Sequence, residues 1–376
     1  MIFPYLSLYL QEACGLSGAE LGVALAMHPL MGIIASPLWG HWADRSGYRR
    51  GVVFMLACGG AVGYLLVPLS SDYLSLLAFL AFLSAFTAPT MAMASSVTFA
   101  VLGGASAEKF GRIRVWGTIG YLAMIVLYPT VATNLGAGLS LYNGEHELAL
   151  IFPLAAVMCL SAAFALLGVS SSKAMSVRAG QKDFKQLLTQ AAYLRLLLIA
   201  FFAFFLLTTP IALFPVFVVE RGGTVETVSR LWIPMLILEI PLIYYSGAGL
   251  RRFGARGLIA AGIALDGARW LITVLTSNLL VIFGIQLLHG AVVVGLIIGM
   301  QLYVEATVPE RLRATGQTVL GAVMSIGAVG SHLWGGFALE HMGSDAPYLL
   351  AGPGAIVLGL LALPFLRTPV QERPPQ

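Results

Sequence analysis

The chain has 376 residues, of which 59% are hydrophobic and only 10% are charged. Soluble domains average about 25% charged residues and need a polar exterior, so this composition excludes an ordinary water-soluble protein and indicates an integral membrane protein. The net charge of +4 is small, and no basic stripe with interleaved aromatic residues is present, which speaks against a nucleic-acid partner. The three cysteines, Cys14, Cys58 and Cys159, have neither metal-ligand spacing nor the even count of a disulfide framework.

Long apolar stretches follow one another along almost the whole chain. A membrane-spanning helix needs about 20 mostly apolar residues. Eleven stretches meet this requirement, namely residues 19–38, 52–69, 73–97, 115–131, 148–169, 194–219, 228–248, 258–275, 279–299, 317–336 and 348–366. A twelfth, residues 2–10, is too short, and we expect it to be the remnant of a first helix truncated by a start codon assigned too late. The alternative is a protein with eleven spans.

Basic residues are distributed unequally between the connections of these spans. One alternating set of connections holds 18 of the 21 lysines and arginines, the opposite set holds Arg221 and Arg230, and Arg269 lies inside a span. Because cytoplasmic loops carry the excess of lysine and arginine, the first set faces the cytoplasm. We therefore expect a multi-pass protein of a bacterial cell (inner) membrane with a cytoplasmic C-terminus.

The longest polar connection divides the predicted spans into two sets. We predict an N-terminal helical bundle over residues 1–170 with an incomplete first helix, a cytoplasmic central loop over 171–193, a C-terminal helical bundle over 194–367, and a cytoplasmic tail over 368–376. Helical apolar spacing over 183–197 predicts an interfacial helix. Residues 40–53 and 246–259 both place glycines and arginines in a tight cytoplasmic turn, which indicates two related repeats.

The first of these turns carries a known motif. Residues 40–50 read GHWADRSGYRR and match the loop motif G-x-x-x-D-R-x-G-R-R of the major facilitator superfamily, with Tyr48 replacing the first basic residue. Residues 4–22, 109–121 and 303–317 resemble the phenylpropionate permease branch, which is related to the lactose/proton symporters. The resemblance implies two six-helix bundles that transport by alternating access. It also implies a cytoplasmic gate made of Gly40, Asp44, Arg45, Gly47, Arg49 and Arg50.

Four candidate coupling residues lie inside predicted spans of the second half: Glu239, Asp266, Arg269 and His289. A charge at the bilayer centre costs about 2.5–3.5 kcal/mol on insertion scales, so each needs a partner or a water-filled cavity. Asp266 and Arg269 are spaced i, i+3 and can pair on one helix face. The resemblance to lactose/proton symporters implies proton coupling by Glu239, Arg269 and His289, whereas Asp266 departs from that pattern. The alternative is a static buried pair with a hydrogen-bonded histidine.

Aromatic and amide side chains are candidates for lining a substrate cavity: Tyr5, Tyr9, Trp232, Gln286 and Gln301. His28 and His332 are lone histidines on apolar spans, which are more often packed residues than ligands. The sequence has no phosphate loop, zinc spacing or nucleophile elbow. We therefore expect no enzyme activity, no cofactor and no metal, and the expected partners are a small-molecule substrate, protons and the lipid bilayer, with the protein a monomer.

Proton-coupled import of a small organic solute is the function that these features favour. An aromatic acid of the phenylpropionate type is the preferred substrate, since Arg269 and the basic surplus suit a carboxylate; a sugar or a nucleoside remains open. The second hypothesis is a proton-driven exporter of drugs or metabolites with the same fold. A third is a membrane scaffold or receptor that transports nothing.

Overall fold

A computed structural model describes residues 3–102, 107–136, 147–169, 187, 189–309 and 312–366. Within these ranges every regular element is a helix, and no strand is present. In chain order the α-helices are α1 (Phe3–Leu8), α2 (Gly18–Ser46), α3 (Arg49–Leu66), α4 (Tyr73–Thr87), α5 (Thr90–Leu102), α6 (Ala107–Gly136), α7 (Ile151–Leu167), α8 (Ala191–Glu220), α9 (Val225–Tyr244), α10 (Ser246–Leu275), α11 (Leu279–Gln286), α12 (His289–Val292), α13 (Gly299–Thr307), α14 (Arg313–Met342) and α15 (Ala346–Phe365). Wider π-helical turns occupy Tyr9–Ala13 and Val293–Ile298, and tighter 3₁₀ turns occupy Val67–Leu69 and Glu147–Leu150.

The described helices follow the predicted spans along the chain. Among the described residues, ten segments are long and apolar enough to cross a membrane, and a shorter apolar helix covers Val115–Val131. The all-helical membrane fold predicted from the sequence is therefore confirmed. The short helix α1 and the π turn after it occupy the predicted first-helix remnant. Most of the central loop, the C-terminal tail and residues 183–186 and 188 of the predicted interfacial helix lie outside the described residues. The last part of that predicted helix, from Ala191 onward, is the beginning of the spanning helix α8 and follows a turn at Thr189, so it is not a separate interfacial helix.

Local sequence explains where several helices begin. Ser17 precedes α2, and its side chain accepts a hydrogen bond from the backbone N–H of Glu20, while the Glu20 carboxylate accepts one from the N–H of Ser17. Asp72 caps α4 in the same reciprocal way with Ser75. Both arrangements are capping boxes, which satisfy backbone donors that the first helical turn leaves without a partner. The Ser75 backbone N–H also holds the pKa of Asp72 below its usual range.

The two predicted repeat turns share a backbone feature. Gly47 ends α2 with φ of 66°, and Gly254 interrupts α10 with φ of 67°. In the sequence, each glycine stands seven positions after another glycine and two positions before an arginine. Positive φ is readily adopted by glycine because it has no Cβ atom, so corresponding positions of the two turns favour the same residue.

The helices group into two compact units. The first contains Met1–Ser176, Ile211–Ile233 and His332–Ala346, and the second contains Val177–Pro210, Pro234–Ser331 and Pro347–Gln376. Small residues let helices approach closely inside each unit, as expected where lipid supplies no hydrophobic force between helices. In the first unit, a Cβ added to Gly336 of α14 would lie 2.6 Å from the Cα of Gly22 in α2. In the second, a Cβ on Gly262 of α10 would lie 2.6 Å from the backbone nitrogen of Leu296.

Candidate functional site

Arg269 is the centre of a polar cluster inside the second unit. Its Nε and Nη2 atoms donate to Oδ1 of Asp266 at 2.8 and 2.6 Å. Its Nη1 atom donates to Oε1 of Gln286 at 3.2 Å and contacts Nδ1 of His289 at 3.1 Å. Helix α10 carries the ion pair, whereas Gln286 ends α11 and His289 begins α12. The guanidinium therefore connects two consecutive spans.

The contact with Arg269 determines the protonation of His289. A guanidinium has only donors, so Nδ1 of His289 must be the acceptor at this contact. The histidine ring is therefore neutral in this arrangement, with its proton on Nε2. A second proton on His289 requires that Arg269 first withdraw from Nδ1.

The ion pair is almost completely removed from solvent. The side chains of Arg269 and Asp266 are 1% and 5% exposed. The guanidinium carbon lies 4.0 Å from the ring centre of Trp270, which itself lies 5.5 Å from the ring of Tyr348. Thr273, one turn further along α10, donates to the Arg269 carbonyl at 2.8 Å. The guanidinium is thus shielded from water, and its acceptors are side chains of the protein: Asp266, Gln286 and His289.

The backbone of Glu239 lies close to Gly290, the residue that follows His289. Glu239 is buried on α9, with 7% of its surface exposed. A Cβ added to Gly290 would lie 2.7 Å from the backbone nitrogen of Glu239. Because only glycine allows this approach, Gly290 holds the backbones that carry Glu239 and His289 against one another. The four predicted coupling residues thus lie on three helices: Arg269 of α10 contacts His289 of α12, and Gly290 of α12 contacts the backbone of Glu239 on α9.

The predicted cavity residues do not form a single set. Gln286 is fully buried and belongs to the Arg269 cluster, whereas Gln301 is exposed on α13. Tyr5, Tyr9 and Trp232 are all buried and belong to the first unit.

Both predicted cavity tyrosines are packed against aromatic neighbours in the first unit. The Tyr5 hydroxyl is hydrogen-bonded to the Ser229 hydroxyl at 2.6 Å. The Tyr5 ring packs on Tyr128 at 4.5 Å, and the Tyr9 ring packs edge-on against Phe152 at 4.7 Å. These contacts hold both rings within the first unit.

The predicted cytoplasmic gate is a tight turn anchored to a helix end. The N–H of Gly47 donates to the Ala43 carbonyl at 3.1 Å and closes α2, and α3 begins at Arg49. Nη1 of Arg50 donates to the Val169 carbonyl, two residues beyond α7, at 2.5 Å. A cation at a helix C-terminus is favourable because of the helix dipole.

The other three predicted gate residues lie in the last turns of α2. A Cβ added to Gly40 would meet only the Met93 side chain, at 3.9 Å, and Arg45 is exposed. The side chain of Asp44 lies outside the description. The role of all six residues as a gate stays a prediction.

The two histidines predicted on apolar spans, His28 and His332, lie in the first unit. His332 on α14 is buried, and its carbonyl occupies the space that a side chain at Gly22 would need. His28 on α2 is exposed. Neither residue belongs to the Arg269 cluster.

Sequence reasoning did not identify four residues that shape the cluster: Trp270, Thr273, Tyr348 and Gly290. Thr273 follows Arg269 by four positions and Asp266 by seven, so helical spacing alone could have assigned it to their face. The contribution of Gly290 depends on which helix packs against α12. No local pattern carries that information.

An all-helical fold with several membrane-length segments and a buried polar network inside them is typical of polytopic membrane transporters. The MFS_1 like family model matches residues 1–350, and the chain belongs to that family of the major facilitator superfamily. It is 27% identical to the maltose permease of Geobacillus stearothermophilus over 374 residues, covering 96% of this chain and 90% of the permease. It is 24% identical to the uncharacterized transporter YwbF of Bacillus subtilis (strain 168), covering 93% and 86%. A crystal structure of the nucleoside transporter NupG superposes with a TM-score of 0.81 at 16% identity, covering 97% of this chain and 94% of that one.

Proposed function

We propose that the protein imports a small organic solute together with protons by alternating access. The observation that carries this proposal is the buried network of Asp266, Arg269, Gln286 and His289, with Glu239 held beside it by a close backbone contact. Ionisable side chains inside membrane spans are expensive and typically mark ion or proton pathways. The proposal includes a cytoplasmic C-terminus in a bacterial inner membrane and a monomeric protein.

The network suggests a division of labour among its residues. Arg269 is held by Asp266 on its own helix, so we assign to Glu239 the loading and release of a proton. His289 would relay that proton only after Arg269 withdraws from Nδ1, because the guanidinium keeps the ring neutral. A movement of α10 relative to α12 would therefore link solute binding to proton transfer.

A conservative substitution tests the coupling role. Purified wild-type protein in liposomes should take up protons when a transported solute is added without a membrane potential. Glu239→Gln keeps the size of the side chain but cannot lose a proton, so it should abolish uphill accumulation while sparing solute exchange. The matched control is Glu226→Gln on the same helix, where Glu226 is 60% exposed and pairs with Arg230 at 2.6 Å. Unchanged accumulation in Glu239→Gln would remove Glu239 from the mechanism.

The proposed transport mechanism does not by itself determine the class of substrate. The phenylpropionate resemblance favours an aromatic acid, whereas the relatives are named for maltose and for nucleosides. A first screen should therefore contain 3-phenylpropionate, maltose and uridine. No flux with any of them, or with a broader panel of each class, would favour a scaffold or receptor instead.

Export of drugs or metabolites is the second candidate direction. It predicts that overexpression lowers accumulation of a toxic solute in energised cells. Import instead predicts that overexpression raises the accumulation of a solute present in the medium. One uptake assay separates the two: an inward-directed proton gradient should drive solute uptake by a symporter, whereas an outward-directed gradient should drive it by a proton-driven exporter.

A further inference from the structure

We infer that the site around Arg269 takes an uncharged solute and excludes carboxylates. This inference rests on the proposed function and concerns only its substrate class. It starts from the observation that Arg269, the basic residue that the sequence places deep inside a predicted span, is already committed to other groups.

The charges of the cluster never sum to a positive value. Asp266 balances Arg269 at 2.6 Å, and His289 is neutral while Arg269 donates to it. Glu239 then contributes either one negative charge or, with a proton bound, none. When the proton is loaded the cluster is neutral, and when it is released the cluster is negative.

Four of the five N–H donors of Arg269 have protein partners, and its charge is paired. A carboxylate is bound best by a two-pronged edge of the guanidinium, such as its Nε and Nη2 atoms. Asp266 occupies that edge, and Gln286 and His289 take the donors of Nη1. Trp270 covers one face of the group at 4.0 Å, and the side chain is 1% exposed. A solute carboxylate would therefore find neither an open donor pair nor a surface of Arg269 to approach.

An uncharged solute meets no such obstacle. A charged solute of either sign would be enclosed beside a proton-loaded, neutral cluster without a counter-charge, which is costly in a medium of low polarity. The cluster itself does not require the solute to carry a charge, since Asp266 is the counter-charge of Arg269 and His289 is neutral while Arg269 donates to it. The aromatic-acid expectation treats Arg269 as a cation available to the substrate, and its pairing with Asp266 removes that support.

The test compares solute classes on one preparation. Wild-type proteoliposomes should show proton-coupled flux of at least one uncharged solute, with maltose and uridine as probes, and none of 3-phenylpropionate. Proton-coupled flux of 3-phenylpropionate by the wild type would overturn this inference while leaving the proposed function intact. Absence of flux for every solute class would contradict the proposed function itself.

Removing the counter-charge of Arg269 provides a second test. Asp266→Asn keeps the side chain's shape but removes its charge, so 3-phenylpropionate should raise the thermal unfolding midpoint of this variant at concentrations at least about tenfold below any that shift the wild type. The double variant Asp266→Asn/Arg269→Gln is neutral again and should lose that gain. Equal carboxylate binding by both variants would overturn the inference. If the single variant does not fold, the wild-type selectivity remains decisive.

Discussion

At the scale of single residues, the dominant feature is Arg269, whose charge is paired inside a membrane-spanning helix. Its guanidinium contacts Asp266, Gln286 and His289, and it stacks on Trp270. A buried ion pair contributes little net stability, but removing one partner leaves the other charge buried without compensation. The pair should therefore behave as a unit in mutagenesis.

Arg269→Gln should lower the free energy of unfolding by about 3–5 kcal/mol, because it leaves the Asp266 carboxylate alone in a dry environment. Adding Asp266→Asn to the same chain removes that charge and should recover most of the loss. Denaturant unfolding in detergent, monitored by tryptophan fluorescence, measures both. Additive losses in the double variant would show that the two side chains do not compensate one another.

The sequence predicted this pair because spacing of i, i+3 on one helix is a local property. The contact of Gln286 with Arg269 could not be predicted in this way. An amide inside a span is equally consistent with a substrate cavity, and the contact depends on how α11 packs on α10. Gln301 illustrates the same limit, since it is the same kind of residue further along the same span and is exposed. Contacts between helices decide such roles.

At the scale of elements, glycines determine how closely the helices approach. In α14, a Cβ on Gly336 would lie 2.5 Å from the Gly18 carbonyl oxygen, whereas a Cβ on Gly321 would meet no atom within 4 Å. Gly336→Ala should therefore cost about 1–3 kcal/mol by overpacking. Gly321→Ala is the control and should be neutral or stabilising by up to about 1 kcal/mol, because alanine favours helix. Thermal unfolding of both variants checks this, and equal midpoints would contradict the close contact.

The cap of α4 makes a pH-dependent contribution to stability. The pKa of Asp72 is lowered because the Ser75 backbone N–H donates to the carboxylate. The stabilisation by this cap is therefore present above the pKa that Asp72 has in the unfolded chain, about 4. It is lost as the pH falls through the lower pKa of the folded state. Thermal midpoints at about pH 6 and about pH 3 should show the advantage of wild type over Asp72→Ala shrinking at the lower pH. Asp72→Asn caps without titrating, so its advantage over Asp72→Ala should stay constant between the two pH values.

At the scale of the whole molecule, most of the membrane-spanning helices could be predicted from the sequence. Lipid admits no unpaired backbone groups, so apolar helices of a fixed minimum length are almost the only option, and hydropathy finds them. Hydropathy could not predict how the helices group into the two compact units. The segments Ile211–Ile233 and His332–Ala346 belong with the first unit, although they come from spans of the second half of the chain. Membership of this kind depends on side-chain contacts far apart in sequence, for which the chain carries no local signal.

The distribution of basic residues makes a last prediction, about orientation. With Cys14, Cys58 and Cys159 replaced by alanine, single cysteines at the exposed positions Ser71 and Ser277 should react with a membrane-impermeant maleimide on cells whose inner membrane is intact. A cysteine at Ser46, in the basic turn between α2 and α3, should react only after that membrane is permeabilised, because basic loops are retained in the cytoplasm. Transport by the cysteine-free protein is the control for correct folding. Labelling of Ser46→Cys in intact cells would reverse the assigned orientation, and with it the direction in which the proposed proton gradient acts.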